Sequence, residues 1–280
     1  MREVNTLQIK DKIRGMFIAM NYELGEDVIY SLELAKDNES SPLGKEVMNT
    51  LLENLSIAEE KQIPICQDTG MAVVFLEIGQ EVCLTGVFIE DAVNQGVKEA
   101  YEQGYLRKSV VADPLERINT KDNTPAVIHY EIVPGDKVKI IAAAKGFGSE
   151  NMSKLKMLNP SDGYEGVVSF VVDAVSKAGA NPCPPIVIGV GIGGTMEKAT
   201  ILAKKALLRN IGEGNRDEHI RAMEKEILEK VNKLGIGPQG FGGTSTALAV
   251  HIEKYPTHIA GLPVAVNINC HVSRHRETTL

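Results

Sequence analysis

Four cysteines, at positions 66, 83, 183 and 270, are the side chains of this 280-residue sequence best suited to metal chemistry. They lie too far apart for a CxxC pair, and their pattern does not indicate a secreted disulfide framework. Cys83 lies in the alternating segment EVCLTGV and is predicted to be a core residue of a strand. Cys66, Cys183 and Cys270 instead occupy turn-like segments at strand edges: IPICQDTG, ANPCPPIV and NINCHVSRH. Thiols held at loop ends can converge on one point.

Three converging thiolates suit an iron–sulfur cluster, and a four-iron cluster with three protein ligands keeps one iron open. That iron is a Lewis acid, which can take up a hydroxyl and a carboxylate and assist loss of water without a redox step. Widely spaced ligands carry no sequence periodicity, so reduced cysteines buried in the interior remain the simpler interpretation. A zinc site from Cys270, His271 and His275 is a further option, although a fourth ligand is missing nearby.

Three glycine-rich segments could contact a ligand through their backbone. In IVIGVGIGGTMEKAT, Gly189, Gly191 and Gly194 match G-x-G-x-x-G between a strand and a helix, which favours dinucleotide binding. That fingerprint also needs a second strand ending in an acid about 20 residues on, but the sequence continues into another helix. An NAD-binding enzyme is therefore a remote alternative. The segments KGFGSEN at 145–151 and GIGPQGFGGTST at 235–246 fit a small anionic ligand, and equally fit tight connections.

The composition is that of a globular protein, with 43% hydrophobic and 24% charged residues and a mean hydropathy of -0.07. The 30 basic and 37 acidic residues give a net charge of -7, which argues against a nucleic-acid partner. The first residues lack the apolar run of a signal peptide, and no window reaches the roughly 18 apolar residues of a membrane span. We therefore expect a cytoplasmic protein with no membrane partner.

The elements that must position these residues are predicted from periodicity and turn signals. Helices are predicted over 6–35, 43–58, 90–103, 161–177, 195–209 and 217–234, and strands over 71–78, 81–88, 127–133, 137–144, 185–190, 246–252 and 262–268. The turns at Gly79 and at Pro134–Asp136 predict two β-hairpins. The fold class is α+β (mixed α/β), with short mixed sheets and hairpins flanked by helices, not a regular Rossmann fold. We expect a single domain over residues 1–280, or two subdomains of it.

Six segments in a fixed order carry a resemblance to a known family. They are PICQDTGMAVVF, DPLERINTKDNTPAVIHYEIVPGD, KGFGSENMSKLKML, ANPCPPIVIGVGIGGTMEKA, GIGPQGFGGTSTALAVHIE and THIAGLPVAVNINCHVSRH. From about Ile9 to Arg276 the chain resembles the class I, iron–sulfur-dependent fumarate hydratases and the related L-tartrate dehydratases. The resemblance is to the amino-terminal region of the single-chain enzymes, which is the α subunit where the enzyme is split.

The resemblance implies a 4Fe-4S cluster on Cys66, Cys183 and Cys270, the same three cysteines that stand in turns. It places Gln67 and Asp68 against the substrate, and Asp68 is chemically suited to donate or relay a proton.

The resemblance also implies substrate contacts further along the chain. Arg107 matches an arginine that binds a substrate carboxylate, which a guanidinium can do bidentately. Gly146 and Gly148 match a loop whose backbone contacts substrate, although Phe147 departs from its glycine-rich pattern. His258 matches a histidine close to the substrate, while His271 and His275 are interpreted as packing or surface residues. Four polar residues of the second segment are expected to hold turns: Asn119, Asp122, Asn123 and Thr124.

The implied activity is a hydro-lyase that interconverts (S)-malate and fumarate, with L-tartrate dehydration as the alternative substrate. The family takes its base and further cationic groups from another domain, so a separate β subunit and an α2β2 complex are expected. A binding or regulatory protein that uses the cysteines only for packing is the alternative from a different class.

Overall fold

The computed structural model describes residues 1–280 and divides them into two compact units. The first unit comprises Met1–Gly25, Asn54–Phe147 and Arg274–Leu280, and the second comprises Glu26–Glu53 and Gly148–Ser273. The helices are α1 (Thr6–Tyr22), α2 (Glu26–Asn38), α3 (Pro42–Lys61), α4 (Ile89–Gln103), α5 (Phe147–Glu150), α6 (Gly163–Ala178), α7 (Met196–Ala206) and α8 (Glu218–Asn232). The strands are β1 (Arg2–Asn5), β2 (Met71–Gly79), β3 (Val82–Thr85), β4 (Val127–Val133), β5 (Val138–Lys145), β6 (Lys154–Leu158), β7 (Ile186–Gly193), β8 (Ala247–Tyr255), β9 (Leu262–Asn269) and β10 (His275–Thr279).

The first unit is built on a four-stranded sheet with the order β10-β5-β2-β4. Alternate residues of β2, such as Val74 and Leu76, are fully buried in one core with residues of α1 and α4. The first residue of β2, Met71, pairs with the last residue of β5, Lys145, and β10 begins opposite Ala143. The segments that precede β2, follow β5 and precede β10 therefore meet at one edge of this sheet.

The two predicted hairpins are wrong. Strand β3 pairs with β1 in a separate parallel two-stranded sheet, and β4 and β5 lie on opposite sides of β2. The turn between β4 and β5 passes the end of β2, where Gly79 N–H donates to Lys137 O at 2.8 Å. A Cβ on Gly79 would lie only 2.3 Å from Gly135 O, so glycine permits this close crossing. The turn residues correctly predict a chain reversal but do not reveal that β2 lies between the two strands.

The second unit is built on a four-stranded sheet with the order β6-β9-β7-β8. Helices α6 and α8 pack on one face, in a core that includes Val171, Ile188 and Ile227. Strand β7 runs antiparallel to β9 and parallel to β8, so the start of β7 lies beside the end of β9 and the start of β8. Because Cys183 precedes β7 and Cys270 follows β9, the sheet order brings both cysteine loops to one edge.

The glycine motif at 189–194 serves helix packing. Gly189 and Gly191 lie within β7, beneath α7. A Cβ at these positions would lie 2.2 Å from Ala203 O and 2.0 Å from Ala199 O, so the α7 backbone occupies the space that a side chain would need. In a dinucleotide-binding fold these glycines form the turn that contacts the pyrophosphate. Here that space is filled by protein, and the NAD-binding interpretation has no structural basis.

The predicted fold class is confirmed, since short mixed sheets are flanked by helices in both units. The helix predicted over 6–35 is two helices, α1 and α2, separated by Glu23–Gly25. Strands β1, β6 and β10 were not predicted, because they are short and carry no clear alternation. Cys83 is half-buried in the small sheet rather than in the core as predicted. No helix of the structure is both long and apolar enough to cross a bilayer.

Candidate functional site

The turn that contains Cys66 and Asp68 is fixed at the edge where β2 begins. The backbone N–H of Asp68 lies 3.4 Å from Cys66 Sγ, so it points at the sulfur. Asp68 Oδ1 accepts from Gly70 N at 3.0 Å, and Oδ2 accepts from Phe147 N at 2.9 Å. The second of these bonds joins the cysteine turn to the KGFGSEN segment, so Asp68 and Gly146, two predicted site residues, lie together. Phe147 itself is 46% exposed.

The backbone around this turn is held by buried polar groups. The Tyr101 hydroxyl lies within hydrogen-bond distance of Thr69 O, at 2.7 Å, and of Gly70 O, at 2.8 Å. Burial raises the pKa of Tyr101 above its ordinary value of 10.0, with the Arg274 guanidinium opposing the shift and the Asp68 carboxylate adding to it. The hydroxyl therefore stays protonated, and its single proton is shared between the two carbonyl oxygens.

Arg107 is placed beside the same turn through its backbone. Thr69 Oγ1 donates to Arg107 O at 3.0 Å, and the Arg107 side chain is exposed. The structure thus brings the Arg107 backbone to the Cys66–Gly70 turn while its guanidinium remains open to a ligand. Gln67, the neighbour of Cys66, is also exposed.

The polar segment after Arg107 holds turns, as predicted. Asn123 is fully buried, and its Oδ1 accepts from Ser109 N at 2.7 Å and from Val110 N at 3.2 Å, while Nδ2 donates to Gly70 O at 3.2 Å. Asn119 Nδ2 donates to a backbone carbonyl, and Asp122 Oδ1 accepts from both the N–H and the hydroxyl of Thr124. These residues shape the loop that presents Arg107.

In the second unit the loops of Cys183 and Cys270 are hydrogen-bonded to each other. His271 N–H donates to Cys183 O at 3.4 Å, and Cys183 adopts a left-handed backbone conformation with φ of 54°. Gln239, from the third glycine segment, donates from its backbone N and from Nε2 to Pro184 O, at 2.8 and 2.7 Å. The backbone N–H of His271 therefore links the loop of Cys270 to the loop of Cys183.

The ring of His271 adds a second link. Its Nδ1 lies 3.1 Å from Cys183 O and 3.2 Å from Gln239 Nε2. A ring nitrogen either donates or accepts, so the tautomer selects one of these two bonds. In either tautomer the histidine next to Cys270 is tied to the loop of Cys183 or to the glutamine that holds that loop.

A buried carboxylate organises the other end of the 235–246 segment. Glu39 is 2% exposed, and its oxygens accept from the backbone N–H groups of Ser41, Thr244 and Ser245 at 2.7 to 3.0 Å. A Cβ on Gly243 would lie within 2.9 Å of three Glu39 atoms, so the loop closes on the carboxylate only with glycine there. Burial alone would raise the pKa of Glu39, but these N–H donors outweigh it and lower the pKa to about 2.

We expect Glu39→Gln to destabilise the chain at neutral pH by about 2–3 kcal/mol, because an amide NH₂ would face backbone donors. The folded-state pKa is depressed, so the stabilisation is complete above the ordinary pKa of 4.5 and is lost as pH falls towards about 2. Denaturant unfolding of wild type and variant across this range tests the expectation. Glu46→Gln, at an exposed position of α3, is the matched control. A stability difference that stays constant from neutral pH down to about 2 contradicts this role.

The other two predicted site residues of the second unit, Gly148 and His258, lie outside the cysteine loops. Gly148 is exposed in α5, next to Ser149 and Glu150, and Glu150 pairs with Lys204 at 2.6 Å and accepts from Asn267 at 2.8 Å. His258 is exposed in the connection between β8 and β9, where its Nδ1 accepts from Ala260 N at 3.2 Å. In this structure His258 therefore stabilises its own turn.

The donor set suits an iron–sulfur cluster. The cysteines are not in disulfides, and Cys66, Cys183 and Cys270 all stand on turns at sheet edges. Thiolates are the ligands that such clusters take, one for each coordinated iron, so the sulfurs need not bind a single ion. No group of three or more His, Cys, Asp or Glu side chains is arranged to hold one metal ion, and this includes the Cys270, His271 and His275 set.

Comparison with known proteins defines the class of the chain. The family model described as fumarate hydratase (Fumerase) matches residues 10–279. The chain belongs to this family, and the predicted hydro-lyase enzyme is confirmed.

Relatives within the family are similar over nearly their whole length. A protein of Methanocaldococcus jannaschii, provisionally named L(+)-tartrate dehydratase subunit alpha, is 47% identical over 274 residues, which cover 96% of each chain. The L(+)-tartrate dehydratase subunit alpha of Escherichia coli strain UTI89 is 36% identical over 288 residues, covering 100% of this chain and 94% of the relative. The K12 strain protein of the same name is 35% identical with the same coverage.

Several residues of the site escaped prediction from sequence. Tyr101 and Glu39 lie far from any recognisable motif, and only their burial and hydrogen bonds reveal them. For Gln239 the flanking glycines were a sequence signal of a tight loop, and the structure gives this glutamine a left-handed backbone with φ of 51°. Arg274 lies in the HVSRH segment, four residues after Cys270, where sequence reasoning gave it no role.

Proposed function

We propose that this chain is the α subunit of an iron–sulfur hydro-lyase that dehydrates a 2-hydroxy dicarboxylate, with L(+)-tartrate as the favoured substrate. The observation that carries the choice of substrate is the identity of 35–47% to full-length relatives named for L(+)-tartrate dehydration. This favours the substrate that sequence analysis placed second.

The proposed cofactor is a 4Fe-4S cluster held by Cys66, Cys183 and Cys270. When bound, it supplies an open iron that acts as a Lewis acid towards the hydroxyl that leaves. Support comes from the turn positions of the three thiols and from the hydrogen bonds that join the Cys183 and Cys270 loops.

The substrate is proposed to bind along the edge where β2 begins. The exposed guanidinium of Arg107 can pair bidentately with one carboxylate, and Gln67 lies on the same turn. The backbone of Gly146 contacts the bound acid there. Asp68, held by two backbone N–H groups, donates or relays a proton to the departing oxygen.

Two residues of the second unit complete the substrate-binding and catalytic residues that we propose for this chain. The Gly148 backbone belongs to the same glycine segment as Gly146 and is exposed. His258 is exposed on a turn and is assigned a role close to the substrate only through the family resemblance.

A separate β subunit is proposed to supply the base that removes the C3 proton and further cations for the charge that builds up. The support is that relatives of this length are named as α subunits. The proposed assembly is α2β2.

Dehydration of (S)-malate to fumarate is the second candidate. It is supported by the description of the matching family, and tartrate differs from malate by a single hydroxyl. One extra polar group is discriminated strongly only where the site hydrogen-bonds it.

Anaerobic turnover of both acids by the reconstituted α and β chains tests the proposal. We expect kcat/KM for L(+)-tartrate to exceed that for (S)-malate by at least about 10-fold, and the isolated α chain to show less than about 1% of this activity. A larger kcat/KM for malate would favour the second candidate. Full activity of the α chain alone would contradict the divided site.

A further inference from the structure

Arg274 is a buried cation whose guanidinium lacks a charged hydrogen-bond partner. The residue is 4% exposed, and Nη1 donates to the neutral side chain of Asn21, with 2.7 Å between Nη1 and Oδ1. Nε is buried with no hydrogen-bond partner. A buried charge is costly unless an opposite charge compensates it, so a negative group is expected nearby.

The backbone places this cation at the edge of the first unit that carries Asp68. Arg274 immediately precedes β10, and its carbonyl accepts from Ala144 N at 3.2 Å. Ala144 is two residues before Gly146, at the end of β5. The arginine is therefore fixed by the sheet, not by a flexible loop.

Gly146 lies beside both the Arg274 guanidinium and the Asp68 carboxylate. A Cβ built on Gly146 would lie 3.3 Å from Asp68 Oδ2 and 3.7 Å from Arg274 Nη2. The two charged groups thus both lie next to position 146, and the absence of a side chain there leaves the space beside them open. Asp68 is already held on its other side by the N–H groups of Gly70 and Phe147.

We propose that Arg274 is a positioning residue for Asp68 in the dehydration reaction. This inference rests on the proposed function, in which Asp68 handles the proton. Two backbone donors fix the carboxylate oxygens, and the guanidinium, held by Asn21, supplies the attraction that keeps the carboxylate directed at Gly146. Arg274 acts through Asp68 and does not itself contact the reacting atoms.

A double-mutant cycle on the reconstituted α–β enzyme tests this coupling. Arg274→Gln is expected to lower kcat about 10-fold with KM changed less than about 2-fold, because a catalytic group is misplaced while substrate binding is kept. In an Asp68→Asn background, the same change is expected to lower kcat by less than about 2-fold. Arg274→Lys should recover part of the loss, since it restores the charge but not the fixed geometry.

Arg276→Gln is the matched control, because Arg276 lies two residues later, within β10, and pairs with Glu23 at 3.3 Å. It should leave kcat within about 2-fold of wild type. If Arg274→Gln does not fold, the cycle is run with Asn21→Ala, which keeps the arginine and removes the acceptor of Nη1. A kcat loss that vanishes in the Asp68→Asn background is again expected.

Equal losses in both backgrounds would overturn the inference, since a purely structural role is additive. A change in KM alone would also overturn it. All of these results require an active wild-type enzyme. If wild type turns over neither acid, the proposed function fails, and the role of Arg274 fails with it.

Discussion

Replacing Cys66, Cys183 or Cys270 with alanine, one at a time, is expected to abolish cluster binding and activity. Each side chain is proposed to ligate a different iron, so no neighbouring thiol can substitute for it. We expect turnover by the reconstituted enzyme to fall by more than about 100-fold, beyond the loss typical of an outer-shell partner. Iron per chain and the visible charge-transfer absorption of the anaerobically reconstituted protein report the cluster independently of activity.

Cys83→Ala is the matched control for this series. Cys83 is half-buried in the β1–β3 sheet, and the variant should keep the iron content and absorption of wild type. Retention of the cluster absorption after all three of the other cysteines are replaced would show that the ligand assignment is wrong. Loss of the absorption in Cys83→Ala would show that the predicted set is incomplete.

Local sequence signals were sufficient to distinguish the three proposed ligand cysteines from Cys83. Proline, asparagine and glycine around Cys66, Cys183 and Cys270 predict turns, and the structure has each of them outside a strand. Most helices were also predictable, because α4 and α8 have a strong apolar periodicity and acidic first turns.

Strand order could not be predicted in the same way. The hairpin prediction for β4 and β5 failed because pairing depends on which strand lies between them, and turn residues carry no such information. The same non-local order brings the Cys183 and Cys270 loops to one edge, through β7 and β9. Convergence of these two loops is therefore a property of the sheet, and the sequence only predicted that their ends were turns.

Buried polar residues were the other class that sequence reasoning missed. A glutamate such as Glu39 is usually exposed, and nothing in DNESSP predicts that backbone donors from residues 244 and 245 surround it. From the sequence alone, Arg274 is likewise expected to be a surface arginine near the carboxyl terminus. Burial of a charge becomes visible only once the groups that compensate it are placed in space.

Asp68→Asn is expected to lower kcat by about 10²–10⁴-fold, the usual contribution of a positioned acid or base. The amide cannot donate and regain a proton as a carboxyl group does, although it is nearly isosteric. Iron content should be unchanged, because Asp68 contributes only its backbone N–H to Cys66 Sγ. Initial rates and iron per chain, measured on one anaerobic preparation, therefore separate a chemical role from a defect in cluster binding.

The amide also has only one oxygen for the two N–H donors of Gly70 and Phe147, so the variant should lose about 1–3 kcal/mol of stability. Rates are therefore compared at a temperature where circular dichroism shows the variant folded. Asp113→Asn is the matched control, because Asp113 is a half-buried aspartate that accepts from Leu115 N and Glu116 N in a turn of its own. A wild-type kcat in Asp68→Asn would remove the aspartate from the reaction. A loss of iron in step with the loss of rate would instead assign it to the support of the Cys66 ligand.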